Sequence, residues 1–233
     1  MKKILVVLIL LMLYGCKEVK SASLQSAMST MITQEKIEEA KWAVLENNRV
    51  KLLQELKEVN EDFVGIVRVG SLIEENVVHS SDNNDYLRLD FEKNYYRKGT
   101  IFMDYRNTLD DQNIILYGHY VYYDETSMFS PLHELKDENN YESQKYIELE
   151  LIEGIRKYQV AAVFYYDLDL DKPQYYHTSY DRLLSGYLKD VKNAQFYDSG
   201  VKITEKSKLL TLQTCVRNRD DLRLIVVAVE VER

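Results

Sequence analysis

The chain of 233 residues is long enough for one compact domain with a short appendage and marginal for two. Hydrophobic residues at 45% and charged residues at 29% exclude disordered, collagen-like and polytopic membrane classes. Thirty basic against 38 acidic residues leave a net charge of −8, which gives nucleic acid no electrostatic footing, so no nucleic-acid partner is expected.

The N-terminus opens with Lys2 and Lys3 followed by the apolar run Ile4 to Gly15, the charged start and hydrophobic segment of a secretory leader. At about 12 residues the run is short against the ~20 that span a bilayer. Leu13-Tyr14-Gly15-Cys16 resembles a bacterial lipobox, although Tyr14 is bulky for that motif. Residues 1–16 therefore read as a signal anchor or a lipoprotein leader, and 17–30 as a polar spacer. Either reading tethers the chain to the membrane through its N-terminus and places the remainder on the extracytoplasmic face. With Cys16 in the leader, Cys215 is the one cysteine of the exported portion, and no disulfide can form within it. A lone cysteine is commonly a buried small hydrophobe, so neighbouring sequence must supply any functional role.

Ile37, Ala40, Val44 and Leu45, then Leu52, Leu53, Leu56 and Val59, recur at helical spacing. Asn47-Asn48 marks a break, which predicts a helical hairpin over 31–60 packed on the main domain. From Phe63 the pattern changes to short β-rich runs: Phe63 to Val69, Thr100 to Asp104, Asn113 to Tyr117, Tyr146 to Ile152, Lys157 to Asp167, Lys208 to Cys215 and Leu222 to Val231. Helical interruptions are expected at Met128 to Lys136, Glu142 to Lys145 and Tyr180 to Lys192. Regular βα alternation is absent, so 61–233 reads as a mostly-β barrel or sandwich rather than a doubly wound sheet.

Three strand ends carry reactive groups. Asn113 to Tyr117 leads into Gly118-His119, Leu209 to Thr214 ends in Cys215, and Arg223 opens the last strand. Thiol acyl chemistry needs a nucleophilic thiolate, a proton donor for the departing amine, and donors for the oxyanion. Cys215, His119 and Arg223 match those roles in turn, and the scheme calls for neither a cofactor nor a metal. With ordinary pKa values of about 8.5 and 6.5, the thiolate–imidazolium pair is only about 1% populated at pH 7, so turnover is slow unless the site shifts them. His79, His133 and His177 read as solvated or packing residues. Asp167, Asp169 and Asp171 lack the glycine and terminal glutamate of an EF-hand and read as a solvated turn. Arg217 and Arg219 compete with Arg223, but a residue inside a strand is held more firmly than one in a loop.

Tyr117-Gly118-His119, Thr211-Leu212-Gln213-Thr214-Cys215 and Arg223 together resemble the signature of the sortases, cell-wall transpeptidases of Gram-positive bacteria. Class B members are the most similar, from about Phe63 to the C-terminus. Asp82-Asn83, Tyr86-Leu87, Gly99 to Asn107, Met128-Phe129 with Leu132, Tyr175 to Leu188 and Tyr197 to Ile203 continue the likeness in order. Gln213 stands where class B often has serine, and Val216 where a polar or acidic residue is common. The resemblance implies a closed barrel of about eight strands, with a helix in the long loop before the cysteine strand. It also implies cleavage after threonine in a motif similar to Asn-Pro-Gln-Thr-Asn, Asn-Pro-x-Thr-Gly or Ser-Pro-x-Thr-Gly, borne by surface proteins. A thioester at Cys215 then passes to an amine of a peptidoglycan precursor or cross-bridge. For substrate contacts it points to Asn83, Leu87, Thr178, Ser179, Tyr180, Leu212, Gln213 and Thr214. Two other readings stand beside it. One is an exported cysteine peptidase that only hydrolyses, although histidine before cysteine opposes the papain order. The other is a non-enzymatic surface lipoprotein.

Overall fold

The computed structural model describes residues 21–170 and 184–232. The leader at 1–16 and the substrate-contact candidates Thr178, Ser179 and Tyr180 lie outside the described residues. Among the described residues no helix is long and apolar enough to cross a membrane. The chain divides into two compact units, Met1–Lys51 and Leu52–Arg233.

A hairpin broken at Asn47-Asn48 is not what forms. One helix, α1, runs from Ser21 to Val59 and includes residues 21–30 of the expected spacer. Asparagine in a helix interior costs only about 0.7 kcal/mol or less relative to alanine, against ~1 for glycine and ~3 for proline, and α1 contains neither of the latter two. Arg49 also grips Glu46 with two hydrogen bonds of 2.8 and 2.7 Å across the asparagine pair, which supports the helix where a break was expected. Within the second unit, Leu53 on the last turns of α1 is fully buried with Phe63 and Ile66.

Eight strands close into a barrel: β1 (Phe63–Val69), β2 (Ile73–Val78), β3 (Ile101–Met103), β4 (Asn113–Tyr117), β5 (Tyr146–Leu151), β6 (Gly154–Asp167), β7 (Leu209–Val216) and β8 (Arg219–Glu232). Their order around the barrel is β1-β2-β3-β4-β7-β8-β6-β5, with β5 returning to β1. The pairs β2–β3 and β4–β7 are parallel, and the other six are antiparallel. Strands β1 and β4 have the bounds the sequence predicts. Strand β2 is not among the predicted runs, because Glu74-Glu75-Asn76 interrupts its apolar pattern. Glu74 is instead satisfied by Arg68 at 3.1 Å, and the Glu75 carboxylate accepts the Met128 N–H at 3.2 Å.

Alternation along β7 builds two cores. Leu210 and Leu212 turn into the barrel with Leu116, Leu149, Leu224 and Val226. Leu209 turns outward beneath a helix in the long loop before β7, Leu184–Ala194, whose Tyr187 and Val191 pack on Phe164, Tyr166 and Ile225. We label the short turn of helix at Tyr141–Gln144 α2 and this loop helix α3. Each fully buried side chain of this size contributes about 1.5–3 kcal/mol. Buried on both faces, β7 carries its C-terminal end to the rim where its parallel partner β4 also ends.

Candidate active site

Strand pairing alone brings the three reactive groups together. Cys215 lies directly opposite Arg223 across the antiparallel β7–β8 pair, so both side chains emerge on one face. On the other side of β7 the parallel register sets Tyr117 against Gln213. The Gly118 N–H then donates to the Gln213 carbonyl at 3.1 Å, which brings the next residue, His119, level with Cys215. A cavity of about 390 Å³ opens at this rim, lined by His119, Cys215 and Arg223 together with Asn83, Leu87, Phe102, Arg106, Tyr117, Gly118, Gln213 and Thr214. Gly118 is required by packing: a Cβ there would come within 2.7 Å of the buried Phe129 ring.

His119 is oriented from behind. Its Nε2 lies 3.0 Å from the Leu87 carbonyl. A carbonyl only accepts, so Nε2 carries hydrogen and Nδ1 is the nitrogen left for chemistry. Leu87 closes a short helical turn whose preceding residue, Tyr86, is buried and tied to Asn60 and Asp62 by hydrogen bonds of 2.8 Å each. Burial pushes the Tyr86 phenol up to about 12, so it remains a neutral anchor. Burial likewise pushes the His119 imidazole below its usual value; the Leu87 carbonyl partly offsets this, and nearby Arg88 adds to it.

Cys215 is a free, half-buried thiol. Arg223 is half-buried, and its Nη1 donates to the carbonyls of Asp220 at 2.9 Å and Leu222 at 2.8 Å. These bonds fix the plane of the guanidinium, and among the described residues Nε and Nη2 have no hydrogen-bond partner. The competing arginines are occupied elsewhere: Arg219 grips Asp221, and Arg217 lies 3.5 Å from Glu125. The carboxylates of Asp167, Asp169 and Asp221 gather within 4.8 Å of one another beside that Arg219 pair.

Of the expected substrate contacts, Asn83, Leu87, Gln213 and Thr214 line the cavity, and Leu212 does not. Leu212 is 0% exposed and belongs to the barrel core, because alternation on β7 turns it away from the face that Gln213 and Cys215 share. Thr214 is buried with its Oγ1 lacking a hydrogen-bond partner. Asn83 is committed at both ends, donating to Asp104 at 3.2 Å and accepting from the Tyr105 N–H at 2.9 Å.

Two further features are not assigned by the sequence. Asp104 is 0% exposed and accepts the Arg106 fork at 2.8 and 2.7 Å and the Tyr117 hydroxyl at 2.7 Å. Burial alone would push its carboxyl up, but the Arg106 side chain and amide and the Tyr117 hydroxyl outweigh that and hold it at about 2. The cavity wall therefore rests on a fixed anion that presents Arg106 outward. Its signal lies in the Asp104-Tyr105-Arg106 string. The other feature is His133, a packing residue by sequence, whose Nε2–H donates to the Cys215 carbonyl at 3.0 Å while its ring packs on Tyr120. That bond clamps the Cys215 backbone from the Ser130–Lys136 turn.

Burial also pushes His133 below its usual value, with the Cys215 carbonyl opposing and Lys136 reinforcing. For both histidines the unfolded chain binds protons more readily than the folded one, so stability rises with pH through the window between the lowered values and 6.5. The melting temperature is expected to fall as pH drops from about 7 to about 5.5, and His133→Gln should flatten that slope. Glu75, pushed up by burial, acts with the opposite sign but starts from 4.5. A slope unchanged in both His133→Gln and His119→Gln would show that these histidines are not its source.

A profile of the Sortase domain matches residues 72–231. Over 182 residues the chain is 35% identical to sortase B of Staphylococcus aureus (strain NCTC 8325 / PS 47), covering 75% of this chain and 72% of that protein. The structure of a Staphylococcus aureus sortase B–substrate complex matches with a TM-score of 0.71 at 29% identity, over 86% of this chain and 99% of that one. That of a sortase B complexed with triglycine matches with a TM-score of 0.70 at 30% identity, over 85% and 99% respectively. Relatives by sequence and neighbours by fold agree, and the chain belongs to the sortase family as a class B transpeptidase.

Proposed function

We propose that this transpeptidase cleaves a sorting motif of the Asn-Pro-Gln-Thr-Asn, Asn-Pro-x-Thr-Gly or Ser-Pro-x-Thr-Gly type after its threonine and passes the acyl group through Cys215 to a cell-wall amine. One observation carries the reading: Cys215 has Arg223 directly across one ladder and His119 level with it across the other, at the mouth of a single cavity. The Cys215 thiolate attacks the threonine carbonyl carbon, and the developing oxyanion takes hydrogen bonds from the free edge of Arg223. As the peptide C–N bond breaks, the departing nitrogen takes a proton from His119 Nδ1 and leaves a thioester. An incoming amine then attacks that carbonyl and gives its proton to the neutral Nδ1, and the C–S bond breaks to restore the thiolate. Asn83, Leu87, Gln213 and Thr214 shape the cavity for the motif, Thr214 from the buried side of β7. The substrate and the triglycine bound in the two related structures support an acyl donor and an amine acceptor for this chain as well.

The test is a peptide-library cleavage assay on the full-length protein, read by mass spectrometry with and without triglycine. Cleavage after threonine, with a product that gains triglycine, is expected. Cleavage giving only the free acid at all acceptor concentrations would make the chain a hydrolase, and no cleavage of any threonine-containing motif would remove the substrate assignment.

A further inference from the structure

His119 also lines a second cavity, whose walls among the described residues do not include Cys215. It has a volume of about 170 Å³, and its walls are Arg88, Arg97, Lys98, Tyr120, Val121, Tyr122 and Tyr123. At roughly 30 Å³ per water it holds about six waters, the bulk of one amino-acid residue and far less than a glycan.

Its chemistry is one-sided. Among the described residues three cations line it and no carboxylate does, in a chain of net charge −8. Lys98 is paired with Asp124, and Glu125, the next acid along, is taken by the Tyr120 hydroxyl at 2.8 Å. Arg88 and Arg97 are exposed and have no carboxylate partner among the described residues. They are nonetheless fixed: Arg88 Nη1 donates to the Arg97 carbonyl at 2.8 Å, and the Arg97 guanidinium sits 5.7 Å from the Tyr123 ring centre. Lys98 Nζ lies 5.9 Å from the same centre, and Tyr122 packs edge-on against it at 5.1 Å. Two guanidinium groups beside aromatic walls form a receptor for an anionic group.

Position selects the ligand. The amine that resolves the thioester must give its proton to His119, so it approaches a ring that both cavities share. We propose that this cleft is the acceptor subsite, and that it takes an amine whose own residue or near neighbour carries a carboxylate held by Arg88 and Arg97. The inference rests on the transfer reading above. An anion there would also cancel the repulsion that Arg88 exerts on the imidazolium, so the correct acceptor would favour the acid form of His119.

The experiment measures ligation of a sorting-motif peptide by the full-length protein to glycine, diglycine and triglycine and to the C-terminal amide of each. At one length or more the free acid should show a KM at least about tenfold below its amide, the scale of a charge-assisted contact. In Arg97→Gln, and separately in Arg88→Gln, that preference should shrink to within about twofold while the amides keep their KM. Ligation with equal KM for acid and amide at every length overturns the cleft and leaves the transferase reading intact. Cleavage without ligation to any acceptor overturns both. Inorganic pyrophosphate tests the other anion source: competition with the acceptor, where acids are not preferred over amides, would reassign the cleft to a phosphate group and overturn the carboxylate assignment.

Discussion

Cys215→Ala is expected to reduce peptide cleavage by at least about 10⁴-fold, to the level of the reaction without enzyme, while the cooperative thermal transition is retained. The activity loss follows from the proposed chemistry, in which the thiolate bonds to the threonine carbonyl, and among the described residues nothing else lining the cavity is nucleophilic beside a proton donor. Retention of the fold follows from position. Cys215 is half-buried at the end of β7, outside the barrel core that holds Leu210 and Leu212, and its carbonyl bond from His133 survives the substitution because it belongs to the backbone. Cys215→Ser should be comparably inactive, since a hydroxyl next to an imidazole whose proton is already needed as the acid has no base to ionise it. Turnover within about tenfold of the parent in either variant would eliminate the thiol mechanism.

Arg223→Lys is expected to lower kcat by about 10²-fold, some 2.7 kcal/mol, with KM nearly unchanged. The structure gives the reason that charge alone does not suffice. Nη1 is spent on the Asp220 and Leu222 carbonyls, so in the proposed role the oxyanion donors are the remaining edge of a plane already fixed. A lysine ammonium is a single nitrogen: seated on those carbonyls it falls short of the oxyanion, and seated on the oxyanion it leaves two carbonyls unpaired. Normal kcat with raised KM would instead make Arg223 a ground-state clamp on the substrate, and the oxyanion donors would then be backbone N–H groups near Cys215.

How much of this the sequence reveals depends on whether a feature is local. Strands β1 and β4 are short apolar runs with clear turn residues around them, and their predicted bounds are the ones that form. That Cys215, His119 and Arg223 share one cavity is legible because each sits in a distinctive string of the sequence. Strand β2 escapes a sequence reading because Glu74 and Glu75 break its apolar run; Arg68 meets Glu74 only once the β1–β2 hairpin has formed, and the backbone N–H that meets Glu75 lies 53 positions away. Leu212 misleads for a related reason, since nearness to the cysteine in sequence says nothing of which face alternation gives it. His133 reaches Cys215 across 82 positions, and only the closed barrel brings the two together. The single helix α1 shows the reverse error, in which a local break signal is too weak to act.

The parallel pairing of β4 with β7 also sets when the enzyme becomes reactive. Cys215 lies on β7 and His119 two residues beyond the end of β4, strands that are not consecutive, and the ladder that joins them pairs residues as far apart in the chain as Asn113 and Leu209. Long-range parallel pairing is among the slowest steps available to a chain. A nascent polypeptide therefore carries a thiol and an imidazole that no fold has yet brought to one cavity. Completion of the barrel is the step that brings the two groups to one cavity.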